Sequence, residues 1–223
     1  ACGTGKTYTS LIIAEQMVKP GQNILFLVPS IALLSQTLRA WTADASVPLR
    51  CFAVCSDSKA SRNEEDMRIY ELAYPATTNA TKLAKSLTET KDDSAVTVIF
   101  STYQSIEVVH QAQQKTGIEF DLVVCDPPTF SNSKKMHGTF DVLRDHVELL
   151  TAVARLTAPG GTILFSTNHR SFKLEPRALA GWAPHEVTRR SVPPDFGYSR
   201  PHRAWRFTAP AAPLAPGGWP RRW

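Results

Sequence analysis

The sequence predicts an α/β fold, a mostly parallel sheet with helices on both faces. Three observations carry this. Short apolar runs bounded by Gly, Pro or polar residues recur at 24–28, 96–101, 120–125 and 162–166, the mark of buried parallel strands. Segments with helical spacing of apolar residues separate them, so strands alternate with helices. The chain has 223 residues, 43% of them hydrophobic, enough for one large domain or two small ones.

Each element follows in order. Residues 6–18 carry Leu11, Ile12, Met17 and Val18 at helical spacing and stop at Lys19-Pro20-Gly21. After the strand at 24–28, Ser30 is placed to cap a helix reaching about Trp41. A strand at 50–55 and short helices at 62–72 and 78–87 come next. The strand at 96–101 leads into a helix ending near Lys115, and the strand at 120–125 follows. Residues 126–139 form a polar loop, and 140–156 a strongly periodic helix closed by Pro159-Gly160-Gly161. A strand at 162–166 and an antiparallel pair at 185–192 and 204–208 complete the fold. From residue 209 the tail is rich in Pro, Ala and Gly, a composition of disordered chain. The organisation expected is therefore 1–125, 126–208 and a tail at 209–223.

Charge divides at the same place. Residues 1–125 hold 11 Lys+Arg and 13 Asp+Glu, a net of −2, whereas 126–223 hold 14 and 7, a net of +7. A basic back half suits a phosphate-rich partner such as RNA, or a solvated basic surface with no partner. No apolar run reaches the roughly 18 residues of a membrane span, and residues 1–7 lack the pattern of a signal peptide, so a cytoplasmic protein is expected. Cys2, Cys51, Cys55 and Cys125 match no common zinc spacing and are expected as free thiols, mostly buried.

Gly3-Thr4-Gly5-Lys6-Thr7 is most of a phosphate-binding loop, with the first residue falling inside the motif. Glycines let backbone N–H groups turn inward around phosphates, and the following helix aims its positive end at the anion. Lys6 is the expected β/γ-phosphate ligand and the Thr7 hydroxyl the expected Mg²⁺ ligand, making ATP and Mg the cofactors.

The stretches ACGTGKT, ILFLVPSIALLSQTLRAW, FAVCSD, ELAYPATT and VTVIFSTYQSIEVV extend this. Residues 1–126 resemble the first motor domain of superfamily 2 DEAD/DEAH-like helicases, and among these the helicase of type ISP restriction enzymes. The resemblance implies DNA as the partner of the front half, with Ser30, Gln36, Thr37 and the segment Ser101-Thr102-Tyr103 along the strand. Each of these also suits helix capping or turn formation. In that family FDLVVCD continues with Glu-Ala-His, the Glu positioning the attacking water. Here Asp126 is followed by Pro127-Pro128, so Asp126 keeps a place near Mg²⁺ and the hydrolytic carboxylate is absent. The second motor domain and its arginine finger are not found in these residues.

Asp126-Pro127-Pro128-Thr129-Phe130 closes a predicted buried strand, where ligands of open α/β sheets bind. A carboxylate and a rigid carbonyl can accept from a base edge, and an aromatic can stack on it; a plain strand-ending turn has the same composition. The stretches DPPTFSNSKKM, TFDVLRDHVELL, LTAPGGTILFSTNHRSFKL and PPDF…PHRAWRF resemble the C-terminal catalytic half of the large-subunit rRNA guanine methyltransferases of the K/L and I type. The resemblance implies rRNA as partner and a target-base pocket with Asp126, Pro127, Phe130, Asn132, Lys134 and Asn168 as candidates, His169 beside them. That family's S-adenosylmethionine loop lies upstream of DPPxF, where this chain carries helicase-type sequence, so S-adenosylmethionine is expected only if the donor site has been rebuilt.

The resemblances together imply a P-loop-type front half joined to a Rossmann-like methyltransferase back half. Both families have a strand of the F-D-L type at the junction, so one buried strand serves either context; a gene fusion and an accidental join put the boundary at the same place. Three functions stay open: a helicase-type ATP-binding fragment, a 23S rRNA guanine methyltransferase, and a non-catalytic nucleic-acid-binding chain.

Overall fold

Why the chain folds as it does is clearest around Trp41. In a computed structural model, described here over residues 6–55, 76–131, 139–169, 171–175, 177, 179, 181–191, 202–211 and 220, this indole is fully buried. It meets Phe26 and Phe100 edge to face, with centroids 5.2 and 5.5 Å apart. These rings come from helix α2 (Ile31–Asp44), strand β1 (Asn23–Val28) and strand β4 (Val96–Thr102). One side chain thereby joins the helix to two strands. Burial of this size predicts that Trp41→Ala costs about 3–5 kcal/mol. Denaturant unfolding followed by circular dichroism checks this, and a loss below about 1 kcal/mol would contradict the packing argument.

The chain divides into two compact units, Ala1–Leu122 and Val123–Trp223. In the first, α1 (Lys6–Met17), β1, α2, β2 (Leu49–Val54), β3 (Ala76–Thr77), α3 (Ala80–Glu89), β4 and α4 (Ile106–Thr116) lead to the start of β5 (Phe120–Cys125). The strand order is β3-β2-β4-β1, then β5. β1 and β2 each run parallel to β4, and β3 runs parallel to β2. All seven residues of β4 are buried, as a central parallel strand requires. Ser30 caps α2, accepting from the Leu33 amide, and Asn79 caps α3 through Thr81 and Lys82. Asp121 ties the start of β5 to β1 by accepting from Gln22 Nε2 (3.0 Å) and the Asn23 amide (2.8 Å). Gly21 turns the chain from α1 into β1 at φ +85°; its amide donates to Ala95 O, and a Cβ there would lie 3.3 Å from Asp93 O.

The second unit holds the end of β5, the short hairpin β6 (Phe130–Ser131) and β7 (Phe140–Asp141), then α5 (Val142–Leu156) and β8 (Thr157–Thr167). β9 (Ala183–Glu186), α6 (Thr188–Ser191) and β10 (Arg203–Thr208) follow, with β10 antiparallel to both β8 and β9. The α/β class is as predicted, a mostly parallel sheet with helices.

Several boundaries differ from expectation. Phe140 and Asp141 are a strand, not the first helical residues, because they pair with β6. Pro159-Gly160-Gly161 does not form a separate turn; it lies within β8. The two residues after β10 supply the reason, since Ala209 donates to Gly161 O and Gly160 donates to Pro210 O. The same bonds carry order past residue 208, and Ala209 is buried. β9 ends at Glu186, earlier than expected, and the chain enters α6. The helix expected at 62–72 and the tail at 212–219 lie outside the described residues. Cys51, Cys55 and Cys125 form no disulfide and are buried, and burial pushes the Cys51 thiol up to about 12. No helix among the described residues is long and apolar enough to cross a membrane.

Candidate functional site

In the first unit the candidate site is the start of α1. Gly3, Thr4 and Gly5 lie outside the described residues, as does the Lys6 side chain; Lys6 itself opens α1 and Thr7 sits in its first turn. That turn is anchored. Thr7 O accepts from Ser10 Oγ at 2.7 Å and from the Trp41 indole N–H at 3.2 Å. The indole N–H also lies 3.3 Å from Ser10 Oγ. The buried aromatic cluster thus reaches out through one N–H to hold the helix end in place. No acidic residue stands in the first turn of α1, so nothing there offsets the positive helix end. Among the described residues, no side chain bonds the Thr7 hydroxyl. The described part of this helix start is an anchored first turn without an acidic residue, with Thr7 partly exposed.

The expected strand-contacting residues separate by burial. Thr37, Ser101, Thr102 and Tyr103 are buried and cannot lie against a bound strand. Ser101 Oγ donates to Thr102 O, and Thr102 Oγ1 donates to Ser105 Oγ. Their hydroxyls serve the turn into α4, which is the structural alternative the sequence left open. Ser30 is partly exposed but its oxygen caps α2, so Gln36 is the one exposed residue of the set.

In the second unit the candidates gather at strand ends. Asp126 follows β5 and is exposed, and its Oδ1 accepts from Ser166 Oγ, near the end of β8, at 2.7 Å. Asn168 and His169 come immediately after β8, Asn168 exposed. So Asp126 and Asn168 leave neighbouring strand ends of one unit. Ser166 was not foreseen; a serine inside an apolar strand carries no signal in the sequence, and its partner is 40 residues away. Pro127 is buried, so it stiffens the turn and offers a base no surface. Phe130 is 56% exposed, a large aromatic ring left open to solvent. It is held by β6–β7, where Phe130 pairs with Asp141, and by the Val142 amide donating to Thr129 O at 3.1 Å. Asn132 and Lys134 lie outside the described residues.

The arginine and lysine side chains of this unit also divide. Arg203 is committed: it binds Glu186 at 3.0 Å, donates to Phe172 O and lies over the Trp205 ring. Lys173, Arg189 and Arg206 are exposed. The described glycines with positive φ are Gly21, Gly117, Gly160 and Gly181, serving the α1–β1 turn, the α4 C-cap, β8 and the turn before β9. None of them forms a glycine-rich loop between a strand and a helix, so the described residues do not fit an S-adenosylmethionine donor loop.

Comparison with known proteins finds relatives of two kinds. The "Ribosomal RNA large subunit methyltransferase K/L" of Ectopseudomonas mendocina (strain ymp) is 54% identical over 93 residues, which are 41% of this chain and 13% of that protein. Its counterpart from Pseudomonas aeruginosa is 53% identical over 92 residues, 40% of this chain and 13% of that protein. The match therefore spans about an eighth of the length of these relatives. Among solved structures, a nuclease-deletion mutant of the type ISP restriction-modification enzyme LlaGI, in complex with a DNA substrate mimic, is 42% identical, covering 56% of this chain and 12% of that one, with a TM-score of 0.45. The methyltransferase SMU.776 complexed with SAH is 12% identical, covering 92% of this chain and 50% of that one, with a TM-score of 0.51, a likeness of fold. A helicase-like region and an rRNA-methyltransferase-like region are thus both present. The family model described as "Type III restriction enzyme, res subunit" matches residues 1–135, more than half of the 223, and the chain belongs to that family.

Proposed function

We propose that this chain is a nucleic-acid-binding protein with a nucleotide-binding, helicase-type front unit and an rRNA-type base-binding back unit, and that neither unit turns its ligand over. The front unit binds Mg-ATP through residues 3–7, with Gly3, Thr4 and Gly5 around the phosphates, Lys6 on the β/γ-phosphates and Thr7 toward Mg²⁺, and it meets DNA. The back unit meets RNA through exposed basic side chains and presents Asp126, Phe130 and Asn168 to an unstacked base, with Asn132 and Lys134 on the adjoining loop. Asp126 is read in this second role because Ser166, near the end of β8, holds its carboxylate beside the strand end that leads to Asn168.

One observation supports the nucleotide reading above the others. The first turn of α1 is fixed by Trp41 and Ser10 while its positive end carries no compensating acid. A rigid, uncompensated helix start following Gly-Thr-Gly-Lys-Thr suits a phosphate group. Titration calorimetry tests it: Mg-ATP is expected to bind weakly to the wild type and not at all to Lys6→Ala. Equal affinity in the two proteins would remove the reading.

A methyltransferase reading has support in the 54% identity over 93 residues to the rRNA methyltransferase K/L and in the Asp126–Ser166 contact. The chemistry of methyl transfer needs a donor site as well. The sequence preceding Asp126 matches the restriction-enzyme family, and no donor loop stands among its described residues, so base binding without transfer is the reading adopted.

A further inference from the structure

Asp145 and His146 are adjacent, both 4% exposed, and both lie in the first turns of α5. Buried polar side chains cost free energy unless they are bonded. Where these two find partners is informative. Asp145 Oδ2 accepts from the Asp141 amide at 2.8 Å. Asp141 is the β7 residue paired with Phe130, and its own carboxylate caps α5 through the Leu143 amide. Arg144 braces the arrangement, binding both oxygens of Asp145 at 2.7 and 2.8 Å and donating to Thr139 O. The hairpin that carries Phe130 is thus fixed to α5 by Asp145.

His146 does the same on another side. Its Nδ1 lies 2.9 Å from Val142 O, and a carbonyl only accepts, so the proton is on Nδ1. Nε2 is then an acceptor and takes the Glu175 amide at 3.1 Å. The same ring meets Phe172 edge to face at 4.8 Å. The Phe172 amide donates to His169 O at 3.1 Å, so the turn after β8, with Asn168, is fixed to α5 by His146.

We infer that the Asp145–His146 pair is a two-armed clamp whose function is to set the gap between Phe130 and Asn168 for an unpaired nucleobase of single-stranded RNA. The inference rests on the base-binding reading of the back unit. Both residues act through the loops they hold and are positioning residues. A leucine at 146 would fill the core but leave the Glu175 amide without an acceptor. A glutamine could still offer one.

The test uses the full chain and a single-stranded RNA oligonucleotide carrying one 2-aminopurine, whose fluorescence is quenched on stacking. Four proteins are compared by affinity, quenching, the salt dependence of affinity and thermal midpoint: wild type, Phe130→Ala, His146→Leu and His146→Gln. Loss of one base–aromatic stack predicts that Phe130→Ala binds about 5- to 150-fold more weakly and loses the quenching. His146→Leu is expected to bind at least about fivefold more weakly, to lose most of the quenching and to keep the wild-type salt slope. His146→Gln is expected to retain both affinity and quenching. The double variant Phe130→Ala/His146→Leu should bind no more weakly than Phe130→Ala, because the two changes remove one interaction. If His146→Leu does not fold, His146→Asn, too short to reach Glu175, takes its place. A folded variant of either kind with wild-type affinity and quenching, beside a weakened Phe130→Ala, overturns the clamp and leaves base stacking standing. Equal losses in the Leu and Gln variants also overturn it, since the acceptor would then be irrelevant. An unchanged Phe130→Ala overturns base stacking and the clamp together.

Discussion

Phosphate release from Mg-ATP is expected to stay at background whether or not duplex DNA is present, far below the roughly 1–10³ s⁻¹ of ordinary enzymes. Phosphoryl transfer is mainly a matter of positioning the attacking water and stabilising charge. In the helicase resemblance the residue after Asp126 is a glutamate that positions this water. This chain has Pro127, which carries no side-chain acceptor and is buried, followed by Pro128. Binding and turnover are thereby separable: the proposed phosphate contacts lie at residues 3–7, and the position of the water-positioning glutamate holds Pro127. Steady-state phosphate assays with and without DNA check this, run beside calorimetry so that bound but unhydrolysed ATP is recognised as such. DNA-stimulated turnover of about 1 s⁻¹ or more would mean that another carboxylate positions the water.

Much of the first unit was legible because local signals agree there. The run from Ile24 to Val28 is bounded by Gly21 and Pro29, and Ser30 stands where a helix cap must stand, so β1 and α2 follow directly. The strand ends were harder. A hydroxyl beside a strand can cap, close a turn or touch a ligand, and these uses have one composition. Burial decides among them for Thr37, Ser101 and Thr102, and burial depends on chain far away in sequence. Pro159-Gly160-Gly161 misled for a related reason. Its turn composition was overridden by bonds to Ala209 and Pro210, just past β10 and some fifty residues downstream. The clamp residues were invisible for the same cause. Asp145 and His146 look like a polar helix face until the Phe130 hairpin and the turn after β8 close over them. Cys51 and Cys125 were the reverse case: apolar strands with no metal spacing leave little but a buried thiol, and that is what forms.

RNA binding by the back unit is expected to weaken steeply with salt and to proceed without methyl transfer. The first half of this follows from counterion release. Of the basic residues recurring through 126–223, Arg203 is held by Glu186 and Phe172 O and is not available to a phosphate. Lys173, Arg189 and Arg206 are exposed and available. Each phosphate contact on a single strand contributes a log–log slope of about −0.7, so these side chains give about −2, and a tenfold rise in salt costs about a hundredfold in affinity. Reversing the charge of Arg203 should leave this slope nearly unchanged, whereas Lys173→Glu should lower it. The second half follows from what lies upstream of Asp126. Residues 1–135 match the restriction-enzyme family, and the described glycines close turns and cap a helix rather than cradle a methyl donor. One preparation tests both halves: RNA affinity over a salt series, and tritiated methyl incorporation into unmodified 23S-type RNA with S-adenosylmethionine supplied. Affinity independent of salt would refute the phosphate argument. Stoichiometric incorporation would show that the front unit furnishes a donor site after all, because the base-binding end cannot move a methyl group without one.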